Sequence, residues 1–244
     1  MKHILITGAS GGIGLALVDY FLSTGQRNIV CQYRSNMSDL QALYMKYDID
    51  FEKHCHFVAD LSEEWCVEQL HKNVLEKTGP VWGIVNLAGC SSNGMSWKLS
   101  KEDFVSVFKN NLLSTFLVSK EFIPEMREQN GGRIINISSV VGFTGAVGAS
   151  HYSAVKAGIV GLTKSMALEL ANKNITVNAL GLGYFEYGLI DHLPRPVQED
   201  VKLKTPVKRF GKGSEIGGAI KFLVSDEGAF TTGQVVHING GIYL

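Results

Sequence analysis

The chain has five prolines and four cysteines in 244 residues, no long apolar run, and no excess of charge of either sign. Each shortage excludes something. Cys31, Cys55, Cys66 and Cys90 form no CxxC pair and no spacing that suggests a disulfide framework, so they read as reduced, partly buried thiols behaving as small apolar groups. With 23 Lys+Arg against 23 Asp+Glu, there is no electrostatic case for nucleic acid or for an anionic membrane surface. No stretch approaches the roughly 20 apolar residues of a membrane span, and the opening Ile4-Leu5-Ile6 is too short for a signal peptide. The expected location is the cytoplasm. His54-Cys55-His56 places two imidazoles on one face of a strand, but zinc normally takes three or four protein ligands and no further cluster is in view. No metal is expected.

What is present is a regular alternation. Ile4–Ile6, Asn28–Tyr33, His56–Ala59, Ile84–Asn86, Arg133–Ile137, Thr176–Leu180 and Val235–Ile238 are short apolar or β-branched runs without strict alternation, as strands covered on both faces are. Between them lie helical patterns: Ile13–Leu22, a weaker Ser38–Tyr47, Glu63–Lys77 with Ser62 as its N-cap, a long Lys101–Glu128 capped by Ser100 and shortened or kinked near Pro124, His151–Ala171, and Ser214–Leu223. The alternation predicts an α/β fold: one Rossmann-type, doubly wound, seven-stranded parallel sheet with helices on both faces, spanning residues 1–244 as a single domain. Gly183–Gly213, with Pro194, Pro196 and Pro206, reads as irregular, and 184–213 as a substrate loop or lid.

The first strand runs into Thr7-Gly8-Ala9-Ser10-Gly11-Gly12-Ile13-Gly14 and then a helix. Glycines there permit a tight turn and close approach to a pyrophosphate, and the helix start supplies free N–H groups and partial positive charge. A glycine cluster alone is weak evidence; its place between first strand and first helix makes it strong. The second strand ends at Gln32-Tyr33-Arg34-Ser35-Asn36. No acidic residue is available there for a ribose 2′-hydroxyl. Arg34, with Ser35 and Asn36 as donors, suits a 2′-phosphate, which favours NADPH over NADH.

Tyr152 and Lys156 stand four apart on a helical pattern, hence on one face. A neighbouring ammonium favours the phenolate, so Lys156 is expected to lower the tyrosine pKa from about 10. Together with Thr7-Gly8-x-x-x-Gly12-x-Gly14, Asp60, Asn86-Leu-Ala88-Gly89, Asn111, Ser139 and Tyr152-Ser-Ala-Val-Lys156, the whole chain resembles the short-chain dehydrogenase/reductase family. Within it, Pro206-Val-Lys-Arg-Phe-Gly211 and Thr232-Gly-Gln-Val-Val-His-Ile-Asn-Gly-Gly241 are similar to segments of bacterial 3-oxoacyl-[acyl-carrier-protein] reductases. The resemblance implies that Tyr152 is the general acid, Ser139 orients the carbonyl, Lys156 binds the nicotinamide ribose, and Asn111 holds a water linking Lys156 to solvent. Asn110 and Ser138 are rival assignments. Asn111 is preferred because Asn-Leu-x-Ser-x-Phe matches the family context, and Ser139 because it lies 13 residues before Tyr152. On the cofactor side the resemblance implies Gly8, Ser10, Gly12, Ile13, Gly14, Arg34, Ser35, Asp60, Leu61, Asn86, Ala88, Gly89, Tyr152, Lys156 and Gly183. Asp60 is expected on the adenine amino group, with Asn86, Ala88 and Gly89 lining the adenosine side.

Some positions depart from the family pattern. Leu87 replaces a second asparagine, at the expected loss of a sheet hydrogen bond. Leu182-Gly183 stands for Pro-Gly, Tyr187 for a threonine near the carboxamide, and Gly11 for a basic residue. Trp97, Phe143, His151, Tyr184, Phe185 and Tyr187 are expected on an aromatic pocket rim, fit to stack on a conjugated substrate. The function implied is NADPH-dependent reduction of a β-keto acyl thioester, in fatty-acid, polyketide or aryl-polyene synthesis. Two alternatives stand beside it: a short-chain alcohol dehydrogenase for another ketone, sugar or steroid, and a catalytically silent dinucleotide-binding subunit. An acyl-carrier partner would meet Lys173, Arg127 beside Asn130, Lys208 and Arg209. A homotetramer would form through the long helices and the apolar end Gly241-Ile-Tyr-Leu244.

Overall fold

A computed structural model describes residues 2–188, 190 and 194–244. Among them, seven strands, β1 (Ile4–Ile6), β2 (Ile29–Tyr33), β3 (Cys55–Val58), β4 (Gly83–Asn86), β5 (Gly132–Ser139), β6 (Ile175–Leu182) and β7 (Val235–Ile238), pair in parallel in the order β3-β2-β1-β4-β5-β6-β7. The helices are α1 (Gly12–Ser23), α2 (Ser38–Lys46), α3 (Glu64–Thr78), α4 (Lys101–Phe108), α5 (Ser114–Glu128), α6 (Val141–Thr144), α7 (Ser150–Leu170), α8 (Arg195–Lys204) and α9 (Gly213–Val224). The architecture is the expected doubly wound, Rossmann-like sheet.

Strand alternation sorts the core into two layers. Ile4 and Ile6 face one side of the sheet and join Leu17, Val18 and Phe21 of α1 and Ile216 and Ile220 of α9. Leu5, between them, faces the other side and joins Val67 and Val74 of α3, Val118 and Phe122 of α5, and Leu170 of α7. Full burial of each such side chain contributes roughly 2 kcal/mol, which is why three-residue β1 holds its place at the centre. A buried polar chain ties β4 and β5 to α5 and α7 on this second side. Asn86 Nδ2 donates to Ser119 Oγ and Asn136 Oδ1, both at 2.9 Å, and Asn136 Nδ2 donates to Thr163 Oγ1 at 2.9 Å.

Three expectations are corrected. The segment 101–128 is not one uniform α-helix: Lys109–Leu113 forms a π turn between α4 and α5. The cause is local, because Asn111 Nδ2 takes the Val107 carbonyl at 2.8 Å, the acceptor its own backbone would use in an α-helix. Ser62 does not cap α3; its N–H and Oγ donate to Asp60 Oδ1 at 3.0 and 2.7 Å, and Glu63 precedes the helix. The stretch 183–213 contains α8, started by Pro194 and Pro196, where fixed φ suits a first turn. Short α6 follows β5 directly. Ser100 does cap α4, in a reciprocal capping box with Asp103 at 2.9 and 3.0 Å. Pro124 lies inside α5, which continues to Glu128.

Candidate active site

The sheet order reverses between β1 and β4, and a crevice opens there at the strands' carboxyl ends. The glycine turn forms one wall and the end of β4 the other. Thr7 Oγ1 accepts from the N–H groups of Leu87 and Ala88, each at 3.0 Å, so β1 and β4 are clamped at the crevice floor. The Leu87 N–H also reaches the Val85 carbonyl at 3.0 Å. Gly8 has φ +66° and its Cα faces Ala88, where a Cβ would come within 2.9 Å of the Ala88 Cα. Gly14 packs on Gly8 and Ala9 so closely that a Cβ would sit 2.8 Å from the Ala9 backbone. The α1 N-cap, Gly11, makes no side-chain cap hydrogen bond, and no acidic residue stands in the first turn. Ser10, Gly12 and Ile13 complete this helix start, and a Cβ on Gly12 would come within 2.8 Å of the Gly188 nitrogen. Gln32, not a carboxylate, reaches the turn: its Oε1 accepts from the Gly8 N–H at 2.9 Å.

Arg34 is exposed just past β2, and its Nη1 approaches Asn110 Oδ1 at 3.4 Å across the crevice mouth. Ser35 beside it is exposed. Asn36 Oδ1 is committed to Ser38 N and Oγ at 3.0 and 2.7 Å, holding the start of α2. Hydrogen bonds from Ser62, then the Arg34 and Lys109 charges, keep the Asp60 carboxyl below the usual carboxylate range. Leu61 is 5 % exposed and packed in the core; Asn86 Nδ2 is spent on Ser119 and Asn136, while its Oδ1 is buried with no hydrogen-bond partner among the described residues. Gly183 is held against Asn239, whose Cα would lie 2.7 Å from a Cβ there.

The catalytic candidates meet beside this crevice. Lys156 is 4 % exposed, and its Nζ donates to the Ile137 carbonyl at 2.9 Å while lying 5.4 Å from the centre of the Tyr152 ring. Burial pulls the ammonium down to about 8 and pushes the Tyr152 phenol up to about 12. Burial first and the Cys90 thiol second raise the Tyr152 phenol, which keeps it protonated at neutral pH. Of the two serines, Ser138 is buried and donates to the Lys156 carbonyl at 2.7 Å, a structural tie between β5 and α7. Ser139 is half-buried at the strand end, its Oγ accepting only a long 3.4 Å contact from Val141 N. Of the two asparagines, Asn110 points outward. Asn111 is 1 % exposed, donates to the Cys90 and Val107 carbonyls at 2.8 Å each, and leaves its Oδ1 buried and unpartnered. That oxygen abuts Gly89; a Cβ on Gly89 would lie 3.8 Å from Lys156 Nζ. Gly89 and the orphaned oxygen thus leave room for a polar group between Asn111 and Lys156.

A scan of family models matches the short-chain dehydrogenase model over residues 2–194. The chain belongs to the short-chain dehydrogenase family. Relatives named 3-oxoacyl-[acyl-carrier-protein] reductase FabG are similar over its whole length. The protein from Thermotoga maritima is 35 % identical over 243 residues, covering 100 % of this chain and 98 % of that one. The Aquifex aeolicus protein is 35 % identical over 242 residues, covering 99 % and 97 %. A Staphylococcus aureus protein is 33 % identical over 243 residues, covering 100 % and 98 %.

Within this short-chain dehydrogenase the aromatic rim is only partly as expected. Trp97 and Tyr187 are exposed. Phe185 and His151 are buried, the latter completely. Phe143 is stacked on Tyr243 at 5.2 Å and meets His237 edge-on at 4.8 Å, so its ring is largely occupied by the chain's own C-terminal segment. That contact was not legible, since nothing local links Phe143 to Tyr243. The four cysteines are free thiols, and no cluster of metal-ligating side chains exists among the described residues; His56 stacks on Phe51 at 3.9 Å. No described helix is long and apolar enough to cross a membrane. Sequence reasoning missed Thr7, whose hydroxyl fixes the crevice floor. It also missed Cys90, whose half-buried thiol is coupled electrostatically to both Tyr152 and Lys156.

Proposed function

We propose that this short-chain dehydrogenase is an NADPH-dependent ketoreductase acting on a β-keto acyl thioester, with residues 1–244 working as one dinucleotide-binding and catalytic unit and 184–213 as its substrate loop. The observation that carries the reading is the convergence of a protonated Tyr152, a buried Lys156 and an uncommitted Ser139 beside a helix start without a side-chain cap. The names of the similar reductases support the substrate class. Arg34 at the crevice lip, with no carboxylate in Tyr33–Asn36, supports NADPH.

The backbone N–H groups at the start of α1, around Gly12 and Ile13, would take the pyrophosphate. Arg34 and Ser35 would take the 2′-phosphate. Asp60 and the Leu61 backbone would take the adenine, over a floor of Gly8, Asn86, Ala88 and Gly89. When bound, the reduced nicotinamide supplies hydride to the carbonyl carbon. Ser139 donates a hydrogen bond to the keto oxygen and orients it. Tyr152 gives that oxygen its proton as negative charge develops, leaving a hydroxyl product and a phenolate. Lys156 holds the ribose hydroxyls and stabilises the phenolate. Asn111 Oδ1 holds the water through which the proton is restored. Gly183 keeps the strand end tight against Asn239.

Carrier docking would use Lys173 and Arg127, both exposed. Lys208 and Arg209 are already engaged, by the Leu203 carbonyl and by Glu215. Phe104, Phe108 and Phe116 on α4 and α5, and Leu168 on α7, are exposed apolar side chains that support a homotetramer. We place the protein in the cytoplasm and its chemistry in fatty-acid, polyketide or aryl-polyene synthesis. The test is consumption of NADPH and of NADH with acetoacetyl thioester. Turnover with NADPH is expected, and Tyr152→Phe lowers kcat by about 10²–10⁴-fold. Turnover confined to NADH, or a Tyr152→Phe variant of wild-type rate, overturns the proposal.

A further inference from the structure

Two segments are stitched together beside Tyr152 by contacts that the proposed chemistry does not use. The loop after β4 passes Cys90, whose thiol acts electrostatically on Tyr152 and Lys156, and its Gly94 N–H donates to the Gly148 carbonyl at 2.9 Å, just before α7. Between these points, Ser92 Oγ lies 2.9 Å from Nε2 of His151, the residue that precedes Tyr152. Residues 90–94 therefore lie against the start of α7, beside Tyr152.

His151 is an unusual occupant of that turn. It is 0 % exposed, and its Nδ1 is buried without a hydrogen-bond partner. Leaving a buried ring nitrogen unpaired costs about 1–3 kcal/mol, a cost that a leucine or phenylalanine in the same space would not carry. The one polar contact it makes is to Ser92, which is exposed. With the ring proton on Nε2, the imidazole donates to Ser92 Oγ and leaves the hydroxyl proton free for an acceptor in the cleft. The keto oxygen already has Ser139 and Tyr152. The acceptor left for Ser92 is a second oxygen on the same substrate.

We propose that Ser92, held by the positioning residue His151, is a specificity-determining donor to the second carbonyl of a 1,3-dicarbonyl substrate. In a β-keto acyl thioester this is the thioester oxygen, so the inference rests on the function proposed above. It explains why a buried histidine is kept beside the catalytic tyrosine: its contact restricts Ser92 to one rotamer and draws the loop against the start of α7.

The test compares kcat/KM for acetoacetyl thioester with that for a cyclic monoketone. Ser92→Ala, a change at an exposed side chain, lowers the thioester value about tenfold, the effect of one hydrogen bond. It leaves the monoketone value unchanged, and Ser92→Thr restores the thioester value. His151→Leu reproduces the same selective loss, with its melting temperature measured alongside. Equal loss on both substrates, or none on either, with an active wild type, overturns the proposal. A wild type that reduces the monoketone but not the thioester overturns the underlying reading instead, and this inference with it.

Discussion

Lys156 keeps its ammonium where burial makes the charge costly, with one carbonyl as its hydrogen-bond acceptor. Its folded pKa of about 8 lies below the 10.5 of an unperturbed lysine. Between those values the unfolded chain holds more protons than the folded one, so this group makes stability rise with pH across that window; below it the penalty is constant. In the cofactor-free protein, urea unfolding at about pH 7 and about pH 9.5 reads this directly. The stability of the wild type relative to Lys156→Met increases at the higher pH. A flat difference would mean that the ammonium is not desolvated. At this scale the sequence was legible where a spacing fixes a face, as with Tyr152 and Lys156. The direction of the Tyr152 shift was not, because it depends on how tightly the phenol is enclosed, which no local pattern encodes.

Among elements, the centre of the sheet depends on a polar relay. Asn86, Asn136 and Thr163 join β4, β5 and α7 through donors and acceptors that are all buried. Removing the middle member strands two partners at once. Asn136→Leu is therefore expected to destabilise by about 3 kcal/mol in denaturant unfolding, more than a single lost hydrogen bond. A cost under about 1 kcal/mol would mean that the relay is replaceable by packing. The strands were legible because β-branched runs bounded by polar turns have few alternatives. The π turn at Lys109–Leu113 was not, since the apolar period on either side hides one extra residue, and the side-chain competition at Asn111 becomes visible only with the helix built. Helix α8 was hidden by its prolines and by an apolar pattern too weak to mark a buried face.

For the whole molecule, the order β3-β2-β1-β4-β5-β6-β7 brings the carboxyl ends of the site-bearing strands to one edge of the sheet. That gathering was legible, because the glycine turn named the first strand and alternation named the rest. Which acyl chain enters was not, because the walls are loops whose contacts, such as Phe143 with Tyr243, join distant parts of the chain. The exposed phenylalanines of α4 and α5 set an expectation at this scale: sedimentation at micromolar concentration finds a tetramer, and a monomer there would contradict the proposed assembly.

Helix α8 buries none of its side chains. It is tied to its surroundings by Gln198 Nε2, which donates to the Ile190 carbonyl at 3.2 Å, and by Lys202 over the Phe210 ring; the rest is held by its own backbone and by ion pairs, Lys202 with Glu199 and Lys204 with Asp200. Helices of this length are marginal in water without a packed face. Its amides should therefore exchange with solvent hydrogen through local opening, at rates decoupled from those of the sheet. Raising ionic strength, which screens surface pairs over a few ångströms, would quicken that exchange in α8 and leave β5 and β6 as they were.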